Sequence, residues 1–507
     1  MLASDPTVEN WQEDMYNRLH YLAMRTPLVP NQNFAGTHFN TNLHSAAERA
    51  AIIASACHEF NRQLEGGLIH HQIDRGRKLE RNQYHWFFNS TRVPRKGEDV
   101  MMKYPGNDYL VAFRRGWVFK VELNVPFVVL KTQFQSIIDS PCAPESRLGV
   151  LTTDDRDVWA DSRELLQNVS EANARWLRIV EAASFVVYLD DAQPETARQR
   201  GHQFLHTGFN RWSDKTIQFA VCDNGWSSTM GEHSMIDGYA VRRLNTFVQD
   251  AIDKHPASGT ANGCLENVPA LDSFAFETTP ELEERIVVAD AELRERSSLH
   301  EMTAFELQHI GTDFCRQYKI PAISAVQMTI QLASRKYFGS NPLAHETVGL
   351  AHFKKGRVEC SHIVWPAVKQ FCDAAFDQTT PKETLRELFF EAVKSHANNL
   401  MRSTQGHGID RHLISLEWSV RDGEPMPEFF SSTVYKESRP KMLMTDCLEG
   451  GVLEAHYLPA FPGGVWVHFE PESDRTRFSV WAKVGGADRF EQCIKEGAVM
   501  VREILEI

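Results

Sequence analysis

The chain has 507 residues, of which 42% are hydrophobic and 24% charged, and carries a formal net charge of -13. That balance describes a folded chain long enough for two domains rather than a disordered one. The acidic surplus excludes a general nucleic-acid binder, which needs Lys/Arg density, and a protein that docks on anionic membranes.

In chain order, residues 44–66 are rich in Ala, Ile, Glu and Arg and predict a helix. Phe119, Val121, Leu123 and Val125 alternate with polar residues, as do Ile217, Phe219 and Val221, and both runs predict strands. The polar, turn-rich segment 253–281 reads as a crossing between two halves. Thr380-Pro381-Lys382-Glu383 reads as a capping box, with Thr380 as N-cap and Pro381 at the first helical position. The apolar stripe Leu385, Leu388, Phe389 and Val393 follows, and the helix is expected to stop before Gly406. Val465, Val467 and Phe469 predict a late strand. Strands interleaved with helices give an α/β class.

No apolar run approaches the roughly 18 residues of a membrane helix. The Met-Leu-Ala-Ser-Asp-Pro start lacks the basic-then-apolar order expected of a signal peptide, and Arg-Glu-Ile-Leu-Glu-Ile does not read as a peroxisomal address. The nine cysteines are odd in number, with no C-x-x-C pair. That suits reduced thiols in a cytoplasmic protein better than a disulfide framework or a zinc site.

The most informative stretch is Gly231-Glu232-His233-Ser234-Met235-Ile236-Asp237-Gly238, after a strand and before an apolar helix-like run. A neutral imidazole at His233 can take the proton of an alcohol as its oxygen attacks a thioester carbonyl, an effect worth roughly 10²–10⁴ in rate. A carboxylate such as Asp237 fixes the tautomer and steadies the imidazolium. The plain alternative is a buried, hydrogen-bonded histidine, because with 21 histidines present a bare H-x-x-x-D arises by chance. The H-x-x-x-D-G pattern is also shared by plant alcohol acyltransferases and peptide-synthetase condensation domains, so it takes context to choose among families.

The context is a set of ordered blocks. Asn82-Gln83-Tyr84 with Thr91-Arg92-Val93-Pro94, Leu151-Thr152-Thr153 with Arg156 and Trp159-Ala160, Asn210 to Phe219 (N-R-W-S-D-K-T-I-Q-F), Glu232-His233-Ser234 with Asp237-Gly238, and Asp410-Arg411-His412-Leu413 stand in sequence. Together they resemble the choline/carnitine acyltransferase family from about Trp11 onward, and the D-F-G-W-G signature of the plant enzymes is absent. The resemblance implies two α/β domains like chloramphenicol acetyltransferase, with the active-site tunnel between them. Thioester enters from one side, alcohol from the other, and His233 acts midway by direct transfer without a covalent acyl-enzyme. The expected division is a remnant of the N-terminal helical region at 1–21, a domain with the catalytic His at 22–270, and a domain with acceptor and oxyanion residues at 271–507.

Several positions depart from the family pattern. Where a Ser-Thr-Ser motif is expected, the chain reads Lys441-Met442-Leu443-Met444-Thr445-Asp446. Counting from Arg411 aligns the motif with Met444-Thr445-Asp446, and counting back from Pro459 aligns it with Leu443-Met444-Thr445. In both frames Thr445 is the hydroxyl expected to hold the oxyanion, with a plain strand residue as the alternative. Of the three groups that hold the carnitine carboxylate, Arg411 is kept, while His345 and Val358 stand at the Tyr and Thr positions. That makes carnitine an unexpected acceptor, and the Arg411 cation disfavours choline; Arg411 paired with a carboxylate as a structural ion is the other reading. Tyr457 is a further expected substrate contact. Ala455, where the family limits acyl length with a bulky residue, points to chains longer than acetyl. Arg316 and Lys319 stand near the position of the coenzyme A phosphate grip.

The expected donor is therefore an acyl-phosphopantetheine thioester, on an acyl carrier protein or coenzyme A, with no permanently bound cofactor and no metal. His202 and His206 lack the Glu of a zinc helix. The early start of the resemblance, the altered Ser-Thr-Ser and the lost carnitine grip are most similar to the acyltransferase-type release domain of fungal highly reducing polyketide synthases. The expected acceptor is then an alcohol or polyol, with no nucleic acid and no membrane as partner. A stand-alone coenzyme A-dependent enzyme and an inactive scaffold are the competing readings.

Overall fold

A computed structural model describes residues 8–74, 76–141, 147–256, 265, 270–421, 423–448 and 450–506. The chain forms two compact units. One comprises Tyr16–Ser298 with Gly450–Tyr457; the other comprises Met1–Met15, Leu299–Glu449 and Leu458–Ile507. The helix Pro280–Ser298 belongs to the first, because Leu282, Ile286, Ala289 and Leu293 bury themselves in that unit's core.

The first unit is built on an eight-stranded sheet. Its heart is the hairpin Trp117–Glu122/Tyr109–Arg114, then Val186–Asp190 and Ile217–Cys222 in parallel, then the antiparallel Ser227–Gly231. Both faces are buried and mostly apolar. Ile217, Phe219 and Val221 join a core with the helices Ala46–Glu65 and Gly238–Lys254, while Ala220 and Cys222 face a second core with Trp159, Trp176 and Trp212. The polar residue of that strand, Gln218, is buried as well, with its amide hydrogen-bonded to the Tyr188 hydroxyl and to the Ser213 and Lys215 carbonyls. The helix expected at 44–66 runs Ala46–Glu65, with Ser45 as its N-cap accepting from the Glu48 N–H.

The second unit has a six-stranded sheet with the same heart. The hairpin Val358–His362/Ala344–Gly349 is followed by parallel strands Leu443–Asp446 and Val465–Pro471, then antiparallel Arg475–Lys483. One face packs on the helices Ala322–Phe338 and Ala487–Leu505 through Ala344, Leu443, Val465, Val467 and Phe469. The capping box differs from expectation. The helix begins at Lys382 with Pro381, at φ -59° and ψ 145°, in the N-cap position and no side-chain cap. Thr380 instead donates its N–H to the Asp377 carbonyl in the preceding turn. The helix ends at Arg402, and Gly406 takes φ +81° in the turn that follows.

The expected crossing at 253–281 holds the end of one helix, a short strand Ser273–Phe274 and the start of the next helix. Its residues 257–264 and 266–269 lie outside the described ones. Among the described residues, no helix is long and apolar enough to cross a membrane.

Candidate functional site

The H-x-x-x-D-G stretch is the turn between a buried strand and an amphipathic helix. Ser227–Gly231 ends on Gly231, where an added Cβ would lie 2.4 Å from the Phe34 ring. Glycine thus lets Phe34 come edge-on to His233, with ring centroids 5.0 Å apart. Asp237 then takes an extended conformation as the N-cap of the helix Gly238–Lys254. The turn therefore sets imidazole and carboxylate side by side without either being part of the strand or the helix.

His233 keeps 17% of its side chain exposed. Its Nδ1 lies 3.2 Å from the Tyr21 hydroxyl, and the Tyr21 ring stacks on the imidazole at 5.3 Å and 19°. The Asp237 carboxylate is 3.8 Å from the same nitrogen, beyond hydrogen-bond range but close enough for its charge to act. Gln83 locks that carboxylate in place. Its amide Nε2 donates to Asp237 Oδ2 at 2.8 Å, and its Oε1 accepts from the Asp237 backbone N–H at 2.7 Å. Tyr457 borders the imidazole on another side, with centroids 5.8 Å apart, and Ala455 pairs with Gly36 on the neighbouring strand.

Four of the five sequence blocks, those holding Arg92, Arg156, Asp214 and Glu232, meet beneath this turn. Arg92 is fully buried. Its guanidinium donates to Asp99 Oδ2 at 2.7 Å, Glu232 Oε1 at 3.1 Å, Ser234 Oγ at 3.1 Å and the Tyr21 carbonyl at 2.8 Å. One side chain thus ties both neighbours of His233 to the backbone of the tyrosine stacked on it. Arg156 reaches Asp99 at 2.7 Å and Asp214 at 2.8 Å, and Trp159 Nε1 donates to Asp214 at 2.6 Å. Burial works to raise the Asp99 carboxyl, but the Arg156 and Arg92 guanidiniums outweigh it and hold it below the usual carboxylate range. At Asp214 burial prevails over Arg156 and the carboxyl is raised.

The expected acceptor and oxyanion residues lie in the second unit. Thr445 is fully buried; its hydroxyl donates to the His345 carbonyl at 3.1 Å and accepts from Gln327 Nε2 at 2.6 Å. It shares the helix-packed face of the sheet with Glu346, which accepts from Gln327 at 2.9 Å and from His396 at 3.0 Å. The Thr445 hydroxyl thus links the helix Ala322–Phe338 to the strand Ala344–Gly349. The residues of that stretch on the opposite face are Met444 and Asp446.

His345, registered with Met444, shares that opposite face. Burial, aided by the Arg411 guanidinium, pulls its imidazole down to about 3 and so keeps it neutral. Arg411 sits in the first turn of the helix Asp410–Trp418, where its backbone N–H donates to Glu359 at 3.0 Å. Asp410 is held far below the carboxylate range: burial opposes this, but His362, Arg411 and Lys441 prevail. Arg411, His345, Asp410 and His362 thus form one electrostatic cluster, while Val358 begins the outer strand of the same sheet.

On the donor side, Arg316 is exposed and paired with Asp313, and Lys319 is exposed with φ +57°. The structure gathers no other described group onto them. Sequence reasoning missed Tyr21 as a partner of His233, which no spacing signals across 212 residues. Gln83, Arg92 and Glu232 stand in the sequence blocks, and the fold alone buries them around His233.

Among the described residues, Cys57, Cys222, Cys315, Cys360, Cys372 and Cys493 are buried free thiols. No group of three or more His, Cys, Asp or Glu among the described residues is placed to hold a metal ion.

The family described as choline/carnitine O-acyltransferase matches residues 2–496. The highly reducing polyketide synthase ltbA of Aspergillus luteorubrus is 31% identical over 99% of this chain and 16% of its own length. The chain thus spans about a sixth of the polyketide synthases it matches. Mitochondrial carnitine O-palmitoyltransferase 2 of Rattus norvegicus is 26% identical over 84% of this chain and 67% of its own length. Among solved structures, the wax ester synthase/diacylglycerol acyltransferase of Marinobacter aquaeolei VT8 aligns over 99% of both chains at 10% identity, with a TM-score of 0.41.

Proposed function

We propose, from the premise that this chain belongs to the choline/carnitine O-acyltransferase family, that it moves an acyl chain from a phosphopantetheine thioester to the hydroxyl of an alcohol or polyol. The family makes it an acyltransferase; the donor, the acceptor and the residue roles are the proposal. The observation that carries it is the His233 turn, where Tyr21 and Asp237 flank Nδ1 and Gln83 fixes the carboxylate.

In this mechanism His233 Nε2 removes the proton from the acceptor hydroxyl as its oxygen bonds to the thioester carbonyl carbon. The tetrahedral adduct collapses by breaking the carbon–sulfur bond, and the imidazolium returns the proton to the departing thiolate. Asp237 stabilises the imidazolium while both groups remain charged. Ala455 offers little bulk beside Gly36, in keeping with acyl chains longer than acetyl.

The likeness to highly reducing polyketide synthases supports a polyketide acyl chain, and we take its donor to be a carrier protein and its acceptor a polyol. Loss of the Tyr and Thr partners at His345 and Val358 disfavours carnitine. The likeness to carnitine O-palmitoyltransferase 2 keeps coenzyme A as the alternative donor. A cytoplasmic setting belongs to the same reading and agrees with the buried thiols of Cys57, Cys222, Cys315, Cys360, Cys372 and Cys493.

The test offers acyl-coenzyme A and acyl-carrier-protein donors against carnitine, choline, glycerol and erythritol, with His233→Ala as the comparison. Ester formation on a polyol that vanishes in His233→Ala supports the proposal. Robust transfer to carnitine overturns the acceptor assignment. Absence of turnover with every pair points to a scaffold.

A further inference from the structure

The sheet of the second unit has a polar face that its counterpart in the first unit lacks. Opposite the apolar face built on Leu443, Val465, Val467 and Phe469, alternation presents His362, His345, Met444 and Trp466 in one registered row, and Asp446 and His468 in the next. These groups are not simply solvated: His345 is 5% exposed and His468 6%. A buried polar group costs about 1–3 kcal/mol when its hydrogen bonds go unmade.

Two nitrogens on this face stand out. His345 Nδ1 is buried and has no hydrogen-bond partner among the described residues. His468 hydrogen-bonds Asp446 through Nδ1, directly across the parallel register. Donation to a carboxylate fixes the tautomer and leaves Nε2 as a lone-pair acceptor. The Trp466 ring stacks on His468 at 6.1 Å and 20°, holding its plane. The imidazole is thereby oriented on one edge, with no hydrogen bond on its Nε2 edge among the described residues.

Resting on the proposed acyl transfer to an alcohol, we infer that His468, oriented by Asp446, binds the acceptor by taking a hydrogen bond from one of its hydroxyls, and that the acceptor carries several. Hydroxyls suit this face because each both donates and accepts: one can donate to His468 Nε2, and another can meet His345 Nδ1 in either tautomer of that ring. A carboxylate would meet the Asp446 charge. A quaternary ammonium donates no hydrogen bond and would leave both nitrogens unmet. Sites built to hydrogen-bond a hydroxyl discriminate strongly against analogues that lack it.

The test has a binding arm and a kinetic arm, both on the full chain. In the binding arm, ¹⁵N-histidine spectra identify the His468 ring by its loss in His468→Gln. Erythritol is expected to shift those signals saturably, whereas 1-butanol, choline and carnitine leave them in place. In the kinetic arm, His468→Ala is expected to raise KM for erythritol by about 10–100-fold and Asp446→Asn by less. KM for 1-butanol and for the acyl thioester should stay within about twofold, a split that a merely structural role would not produce. An equal response to butanol, a response to choline or carnitine instead, or no response to erythritol overturns the inference. Transfer that survives in His233→Ala, or is absent from the unaltered chain, counts against the proposed reaction; the binding arm then still decides the role of His468.

Discussion

The two units share a sheet frame of hairpin, two parallel strands and hairpin, and place different chemistry on matching positions. At the end of the central strand the first unit pairs Asp190 with Cys222, and the second pairs Asp446 with His468. Asp190 is held by both Nη atoms of Arg211, at 2.8 and 2.7 Å, and by Gln203 at 2.9 Å, so it is a structural anchor beneath apolar layers. Asp446 instead holds a histidine on a polar face. After the last strand of the frame, the first unit makes the turn that carries His233 and Asp237. The second passes through Val484-Gly485-Gly486 to the helix Ala487–Leu505, with Gly485 at φ +79°. The shared frame supplies strand ends and turns; which of them carries chemistry depends on the side chains placed there.

The comparison can be broken most severely at its reactive end. His233→Ala should lower acyl transfer by about 10²–10⁴-fold while leaving the circular dichroism spectrum and Tm intact. A retained rate would reduce that turn to the status of its glycine-bearing counterpart. Arg92→Ala leaves Asp99 and Glu232 as buried carboxylates short of a partner, and should destabilise the first unit by about 3–5 kcal/mol. Urea unfolding measures this, and a loss under 1 kcal/mol would show that the network is dispensable.

Gln83→Leu removes both hydrogen bonds that fix Asp237. It should lower kcat about tenfold with KM nearly unchanged; an unaltered kcat would free Asp237 of any positioning role. Thr445→Val sharpens the contrast between the two faces of the second sheet. On the present geometry it costs about 1–2 kcal/mol of stability and changes turnover by less than about threefold. A fall in turnover near 10²–10³, the usual cost of a lost oxyanion donor, would give Thr445 the oxyanion role instead.

The smallest effect is in pH dependence. Asp99 has a folded pKa depressed below its unfolded value of about 3.9. Its contribution to stability is therefore present above that pH and is lost as pH falls through the lower folded value. Unfolding free energies of the unaltered chain and Asp99→Asn should differ most near neutral pH and converge in strong acid; a constant gap would contradict the assignment.

Sequence alone determined the α/β class, the helix at Ala46–Glu65, the strands around Phe119, Ile217 and Val465, and the His233/Asp237 turn. These follow from local periodicity and from residue types whose chemistry is readable wherever they sit. Sequence also marked the blocks around Gln83, Arg92, Arg156 and Asp214, without saying that they meet in one buried network under His233. Only the tertiary structure decided that Tyr21 stacks on the imidazole, that Thr445 turns toward Gln327 while Asp446 turns toward His468, and that one sheet is mostly apolar on both faces and the other on one. The physical reason is register. Shifting a strand by a single residue exchanges its two faces, and the register of Leu443–Asp446 is set by its neighbours Ala344–Gly349 and Val465–Pro471, which the order of residues along the chain does not reveal.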